Sequence, residues 1–158
     1  MTKRYWLMKS EPDVYSIDDL KKDQTTWWEG VRNYQARNFM MQDMQIGDEV
    51  LFYHSNATPP GIAGLGQISA LAAPDQQQFQ KKSEYYDPKA TPQKPIWFCT
   101  QVRFVKKWKS LISLELIKAD KKLAKMVVVQ KGSRLSIQPV SAEDFHYITQ
   151  LAEAVGKK

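Results

Sequence analysis

Three runs rich in β-branched and aromatic residues fill the middle of the chain: "EVLFYHS" from Glu49, "IAGLGQISALAA" from Ile62 and "IWFCTQVRFVKKW" from Ile96. Each is bounded by Gly, Pro or Asp, so each reads as a strand with its punctuation. A fourth strand, "RYWLMKS", begins at Arg4 and stops at Glu11-Pro12, where proline disfavours any continuation. A last one, "RLSIQPV", runs from Arg134. Between these, Ser16 with Asp19 forms a capping box for a helix over "SIDDL". Asn33 can cap a second helix, in which Ala36, Phe39, Met40 and Met44 recur at three- and four-residue spacing. "SLELI" and "DKKLAKM" read as short helices, and Ser141 with Asp144 caps a final helix to about Val155. The stretch "APDQQQFQKKSEYYDPKATPQKP" is polar and punctuated by proline, which predicts a long surface excursion within the domain. Strands this far apart, with helices between them, predict an α+β fold built on a curved mixed sheet or small barrel. They do not repeat as βαβ units, which argues against a Rossmann arrangement.

One domain over residues 1–158 is the natural division, since 158 residues with 42% hydrophobic and 25% charged side chains suffice for a single sizeable core. The 23 Lys and Arg against 17 Asp and Glu give a net charge of +6, which favours a polyanionic partner. The single cysteine, Cys99, excludes an internal disulfide and any cysteine-based zinc site, and suits a reducing compartment. No apolar run approaches the ~18 residues of a membrane span. The opening "MTKRYWLMKSEP" is broken by Lys9 and Glu11 before a signal-peptide core could form. A cytoplasmic protein is expected, or a nuclear one in a eukaryote.

Catalytic constellations are poorly supported. His54 and Ser55 are neighbours on a strand and point to opposite faces, so with Asp48 they make a poor triad. Cys99 sits in an apolar run that favours an inert thiol. His54 and His146 lack the spacing of metal ligands, and Gly61, Gly64 and Gly66 do not spell a dinucleotide-binding loop. Neither a cofactor nor a metal is expected.

The segment "TTWWEGVRNYQARNFMMQDM" supports binding better. A tryptophan beside a glycine offers a flat π-surface that something can approach, while Arg32 and Asn33 supply the donors and acceptor to hold a planar polar heterocycle. Stacking a base on such a ring contributes about 1–3 kcal/mol. "KSEP" from Lys9, "FYHSNATPPGI" from Phe52 and "SRLSIQP" from Ser133 place further polar groups near strand ends, where pockets form. In the last of these, Arg134, Ser136 and Gln138 share one face if the segment is extended.

The blocks "YWLMKSEP", "SIDDL", "WEGVRNYQARN", "GDEVLFYHSN", "PPGIAGLGQI", "YYDPKA" and "RLSIQPVSAEDF" resemble the EVE domain family, in order from about Tyr5 to Leu151. The resemblance implies a PUA-like fold, a curved barrel-like sheet surrounded by helices and related to the YTH domains that read methylated adenine in RNA. It also implies a pocket for a modified base, with modified cytosines in DNA, such as 5-methylcytosine, proposed for EVE members. By position, Trp28 would be a stacking wall, and Gly30, Val31, Arg32 and Asn33 would shape one side. Lys9, Ser10 and Glu11, with Tyr53, His54 and Ser55, would line the pocket, and Pro60, Gly61 and Ile62 would close a rim. Arg134, Ser136 and Gln138 would add polar contacts. Glu29 stands where many members carry Asp, and Ala57 where several eukaryotic ones carry Cys.

The expectation is a non-enzymatic reader of a modified base in DNA, with Arg32, Arg134, Lys106, Lys107 and Lys109 meeting phosphates. An RNA reader is the main rival. An enzyme acting on a nucleoside through Glu11 or His54, and a protein-binding adaptor with an exposed apolar patch, are the others.

Overall fold

The computed structural model describes residues 3–130 and 134–156. Six strands form one mixed sheet: β1 (Tyr5–Ser10), β2 (Thr25–Trp27), β3 (Glu49–His54), β4 (Gly61–Pro74), β5 (Phe98–Ser113) and β6 (Ile137–Val140). Their order is β2-β5-β4-β3-β1-β6, so the sheet is open, with β2 and β6 as its edges. The expected α+β class and mixed sheet stand, and of the two expected forms, a sheet or a small barrel, the structure has the open sheet. β1 runs parallel to β3, while the remaining pairs are antiparallel. Repeated register shifts between β4 and β5 bend the two long strands.

Strand alternation divides the core between the two faces. Trp6 and Met8 of β1, with Val50 and Phe52 of β3, point to the first face. There they meet Ile17 and Leu20 of helix α1 (Ile17–Asp23), Ala36 of α2 (Tyr34–Asn38), and Met40 and Met44. Leu7, Leu51 and Tyr53 point to the second face, against Ile117 of α3 (Leu114–Ala119) and Phe145, Ile148 and Ala152 of α4 (Ala142–Gly156). Asp48 is buried at the entrance to β3. Its carboxylate accepts from the backbone N–H groups of Arg4 and Gln45 and from the Trp6 indole, at 2.9–3.1 Å, so burial leaves no oxygen unmatched.

The capping predictions match the structure. Ser16 and Asp19 form a full capping box, Asn33 Oδ1 accepts from Ala36 N, and Ser141 Oγ accepts from Asp144 N. Other boundaries differ. The helix begun at Asn33 widens into a π turn over Phe39–Asp43, closed by Met44 N donating to Phe39 O. "DKKLAKM" holds only a single 3₁₀ turn, Lys121–Leu123. The last strand starts at Ile137, so Arg134 and Ser136 precede it and do not share a strand face with Gln138. Ser133 lies outside the described residues. β2 was not anticipated: it has only three residues and no buried side chain, and pairs with Gln101–Arg103.

Gly64 lies where β4 and β5 approach closely, and a Cβ there would stand 2.2 Å from the Lys106 carbonyl oxygen. Gly64→Ala is therefore expected to lower stability by about 3 kcal/mol, read as a shift in the urea midpoint.

His54 Nε2 accepts from the N–H of Ile17 at the start of α1, at 3.1 Å, which requires an unprotonated nitrogen. Burial pushes its pKa below the usual 6.5; Asp18 opposes that shift and Lys107 adds to it. The unfolded chain binds this proton more readily, so the stability is full above pH 6.5 and is lost as pH falls from there to the folded value. Asp19, Asp87 and Asp120, held low by hydrogen bonds, lose theirs only below the ordinary 3.8. Melting temperature should fall between about pH 7.5 and about pH 5.5 in the native protein, and the drop should shrink in His54→Gln.

Candidate functional site

Parallel pairing of β1 and β3 sets their C-terminal ends side by side, with Ser10 opposite His54. Ligand sites in parallel sheets gather at such ends. The Ser55 N–H continues the ladder by donating to Ser10 O, and Asn56 Nδ2 donates to Glu11 Oε1 at 2.6 Å. From the other side, Lys9 N donates to Ser136 O, which brings the segment before β6 to the same place. A cleft of about 840 Å³ opens here. Its lining comes from two groups of segments: Lys9, Ser10, Glu11, Val14, Tyr15, Ser55, Asn56, Arg134 and Ser136 from the strand ends and the approach to β6, and Thr26 to Arg32, Gln77 and Tyr85 from β2, the segment after it and the excursion.

The second set of segments is built around the carboxylate of Asp75. This group is 1% exposed and accepts from Gly30 N (2.8 Å), Gln77 N (2.8 Å) and Arg32 Nη1 (3.0 Å). Arg32 also donates from Nε and Nη2 to Tyr85 O and from Nη1 to Val31 O. Its guanidinium packs over the Tyr85 and Trp97 rings at 5.4 and 5.3 Å. Gly30 has φ +87, and a Cβ on it would strike the Tyr85 ring at 2.9 Å, so glycine serves both the turn and the contact. Glu29 completes the tie by accepting from Gln76 N and Gln77 Nε2.

The polar excursion is thus a surface segment of the domain, as expected, that is anchored and contributes Gln77 and Tyr85 to the cleft. Buried Gln78 makes four hydrogen bonds: it donates to Asp75 O and Trp97 O and accepts from Ile96 N and Trp97 N.

The two tryptophans differ. Trp27, on the edge strand, is 40% exposed, whereas Trp28 is 7% exposed and meets Phe52 edge-on at 5.4 Å. Trp28 forms a floor fixed by the core and Trp27 an accessible ring at its side; both belong to the lining.

Ten of the expected pocket residues meet in the cleft: Lys9, Ser10, Glu11, Trp28, Gly30, Val31, Arg32, Ser55, Arg134 and Ser136. The others lie outside its lining. Asn33 caps α2, and His54 binds the α1 backbone. Tyr53 and Ile62 are buried on the second face, and Gln138 donates to Leu135 O. Pro60 O accepts from Leu114 N, and Gly61 pairs with His54 and Ser113. Lys106, Lys107 and Lys109 sit on β5 away from the lining, Lys107 in an ion pair with Asp18 at 2.7 Å. Sequence reasoning missed Val14, Tyr15, Thr26, Glu29, Asn56, Gln77 and Tyr85 and gave Trp27 no role; "YYDPKA" carried the one signal for Tyr85.

The cleft presents hydrogen-bonding groups, and burial lowers the pKa of the Lys9 amine among them. Tyr15 is pushed up to about 12 by burial and its bond to Asp23, and burial chiefly raises Tyr85, so both phenols stay protonated. Burial pushes the Cys99 thiol to about 12. Among the described residues, no three His, Cys, Asp or Glu side chains converge as metal ligands would, and no helix is long and apolar enough to cross a membrane.

Comparison with known proteins agrees with this architecture. Residues 4–151 match the model of the EVE domain. Human thymocyte nuclear protein 1 is 42% identical over 167 residues, covering 94% of this chain and 74% of that protein. The crystal structure of human THYN1 in complex with 5-methylcytosine containing DNA aligns with a TM-score of 0.89 at 43% identity, covering 96% of this chain and 98% of that one. A hypothetical protein from Leishmania major aligns at 0.93 with 48% identity, covering 97% and 96%. With a family model matched from β1 into α4 and relatives of this similarity, the chain belongs to the EVE domain family.

Proposed function

We propose that this protein is a non-catalytic reader of DNA that takes up a modified cytosine in the cleft. The observation that carries the reading is the similarity to human THYN1, solved with DNA containing 5-methylcytosine. The cleft supports it on physical grounds. Its volume is ample for an extruded base, Trp27 and Trp28 offer ring surface, and Ser10, Ser55 and Ser136 bring hydroxyl groups to the base edge. Arg32 is spent on its own scaffold, so the phosphate beside the base falls to Arg134. The β5 lysines Lys106, Lys107 and Lys109 serve phosphates farther along the strand. A methyl group adds only about 1–3 kcal/mol through shape, so selectivity is modest. A protein with this role shares a compartment with DNA: the nucleus in a eukaryote, the cytoplasm in a bacterium.

The test is a titration at fixed salt with matched oligomers carrying cytosine, 5-methylcytosine, 5-hydroxymethylcytosine, adenine or N6-methyladenine, each as DNA and as RNA. The expected result is a several-fold preference for a modified cytosine in DNA. Loss of stacking in Trp27→Ala should cost about 5- to 150-fold in affinity without unfolding the protein. Trp28→Ala should abolish the preference and also lower stability by about 3–5 kcal/mol. Stronger binding to the RNA set would move the reading to RNA, and uniform weak binding by all proteins would end it.

Asp75→Asn, which removes the charge facing Arg32 and one strong acceptor, should loosen the wall from Gly30 to Tyr85. We expect a lower melting temperature together with at least about tenfold weaker binding of the preferred oligomer. Calorimetry and the same titration measure the two effects.

A further inference from the structure

Two carboxylates in a cleft meant for a polyanion require a reason, since each repels phosphate. Glu29 has one: both of its oxygens accept from the excursion, at Gln76 N and Gln77 Nε2. Glu11 does not. Its Oε1 accepts from Asn56 Nδ2, but no donor among the described residues reaches Oε2. Glu11 is nevertheless held in place. Its carbonyl accepts from Val14 N and Tyr15 N, and Ser10 Oγ next to it donates to Tyr15 O at 2.6 Å. Asn56 reaches it from a left-handed backbone conformation, φ 51, which asparagine tolerates better than most residues. Glu11 and Tyr85 both line the cleft.

A fixed carboxylate with a free oxygen is an acceptor only, and the complementary group on a base is an exocyclic amine. Resting on the function proposed above, we infer that Glu11 sets which pyrimidine is accepted. Its Oε2 accepts a hydrogen bond from the 4-amino group of cytosine or 5-methylcytosine and repels the 4-keto oxygen of thymine. Shape alone cannot make this choice, because thymine carries the same 5-methyl group as 5-methylcytosine on a ring of the same size. The remedy is a polar group left unpaired by the wrong base.

The experiment compares dissociation constants for single-stranded DNA oligomers that differ at one position, carrying 5-methylcytosine, cytosine or thymine. The native protein, Glu11→Gln and Asn56→Ala are each titrated, with melting temperatures to confirm folding. The native protein should favour 5-methylcytosine over thymine by about tenfold or more. Glu11→Gln, whose amide can donate to a keto oxygen, should bring that ratio within about threefold while leaving the ratio of 5-methylcytosine to cytosine unchanged. Asn56→Ala should fall between the two. Equal affinity of the native protein for 5-methylcytosine and thymine would overturn the inference. So would a change in Glu11→Gln that is common to all three oligomers, since Glu11 would then act only through charge or fold. If the native protein does not separate 5-methylcytosine from cytosine, the reading as a modified-base reader fails by itself. The ratio of cytosine to thymine, and its response to Glu11→Gln, then decides the role of Glu11.

Discussion

The buried carboxylate of Asp75 is the point on which the binding cleft depends. A charge removed from water is tolerated only when its oxygens are matched, and three donors from different places in the sequence match these. Gly30 and Arg32 come from the segment after β2, and Gln77 from the excursion more than forty residues later. The interaction therefore turns two irregular stretches into one wall. Gln78, next along the chain and fully buried, does the same for the far end of the excursion by joining it to Ile96 and Trp97. Irregular backbone is affordable inside a domain only with this kind of polar matching, and here it replaces regular secondary structure.

The sheet supplies the rest of the frame. Alternation along β1 and β3 sends Trp6, Met8, Val50 and Phe52 one way and Leu7, Leu51 and Tyr53 the other, so each face gains its own helices and its own core. The cleft lies on the first face, where Trp28 is part of both the core and the lining. Core packing and the cleft lining share that one side chain. They are separate at Trp27, whose ring stands on an edge strand and supports little else.

Much of the fold was legible because its signals are local. Caps at Ser16, Asn33 and Ser141 are read from a residue and its neighbour three positions on, and the long apolar strands from their own composition. β2 was hidden because three residues without a buried side chain leave no period to detect. The sheet stays open because its order ends on β2 and β6, a non-local outcome that no local pattern encodes. In the site, the strand-end residues Ser10, Glu11 and Ser55 were visible as polar groups at the close of apolar runs. Gln77 and Tyr85 were not, because their place depends on Asp75, whose burial cannot be read from a polar, proline-rich stretch. The tryptophan pair was legible as aromatic surface, but the difference in exposure between its two rings follows from β2 and from Phe52.

The position of β1 has a consequence for how the protein is made. β1 leaves the ribosome before the other five strands of the sheet yet is an inner strand, flanked by β3 in parallel and by β6, whose pairing residues are Ile137 to Val140. Pairing over such separations is slow, because a long loop must close before any contact rewards it. Until β6 emerges, β1 has a bare edge, and before Arg134 and Ser136 emerge the cleft lacks the lining they provide. The complete cleft therefore forms only once β6 has emerged, and a nascent chain stalled before β6 holds both tryptophans without it.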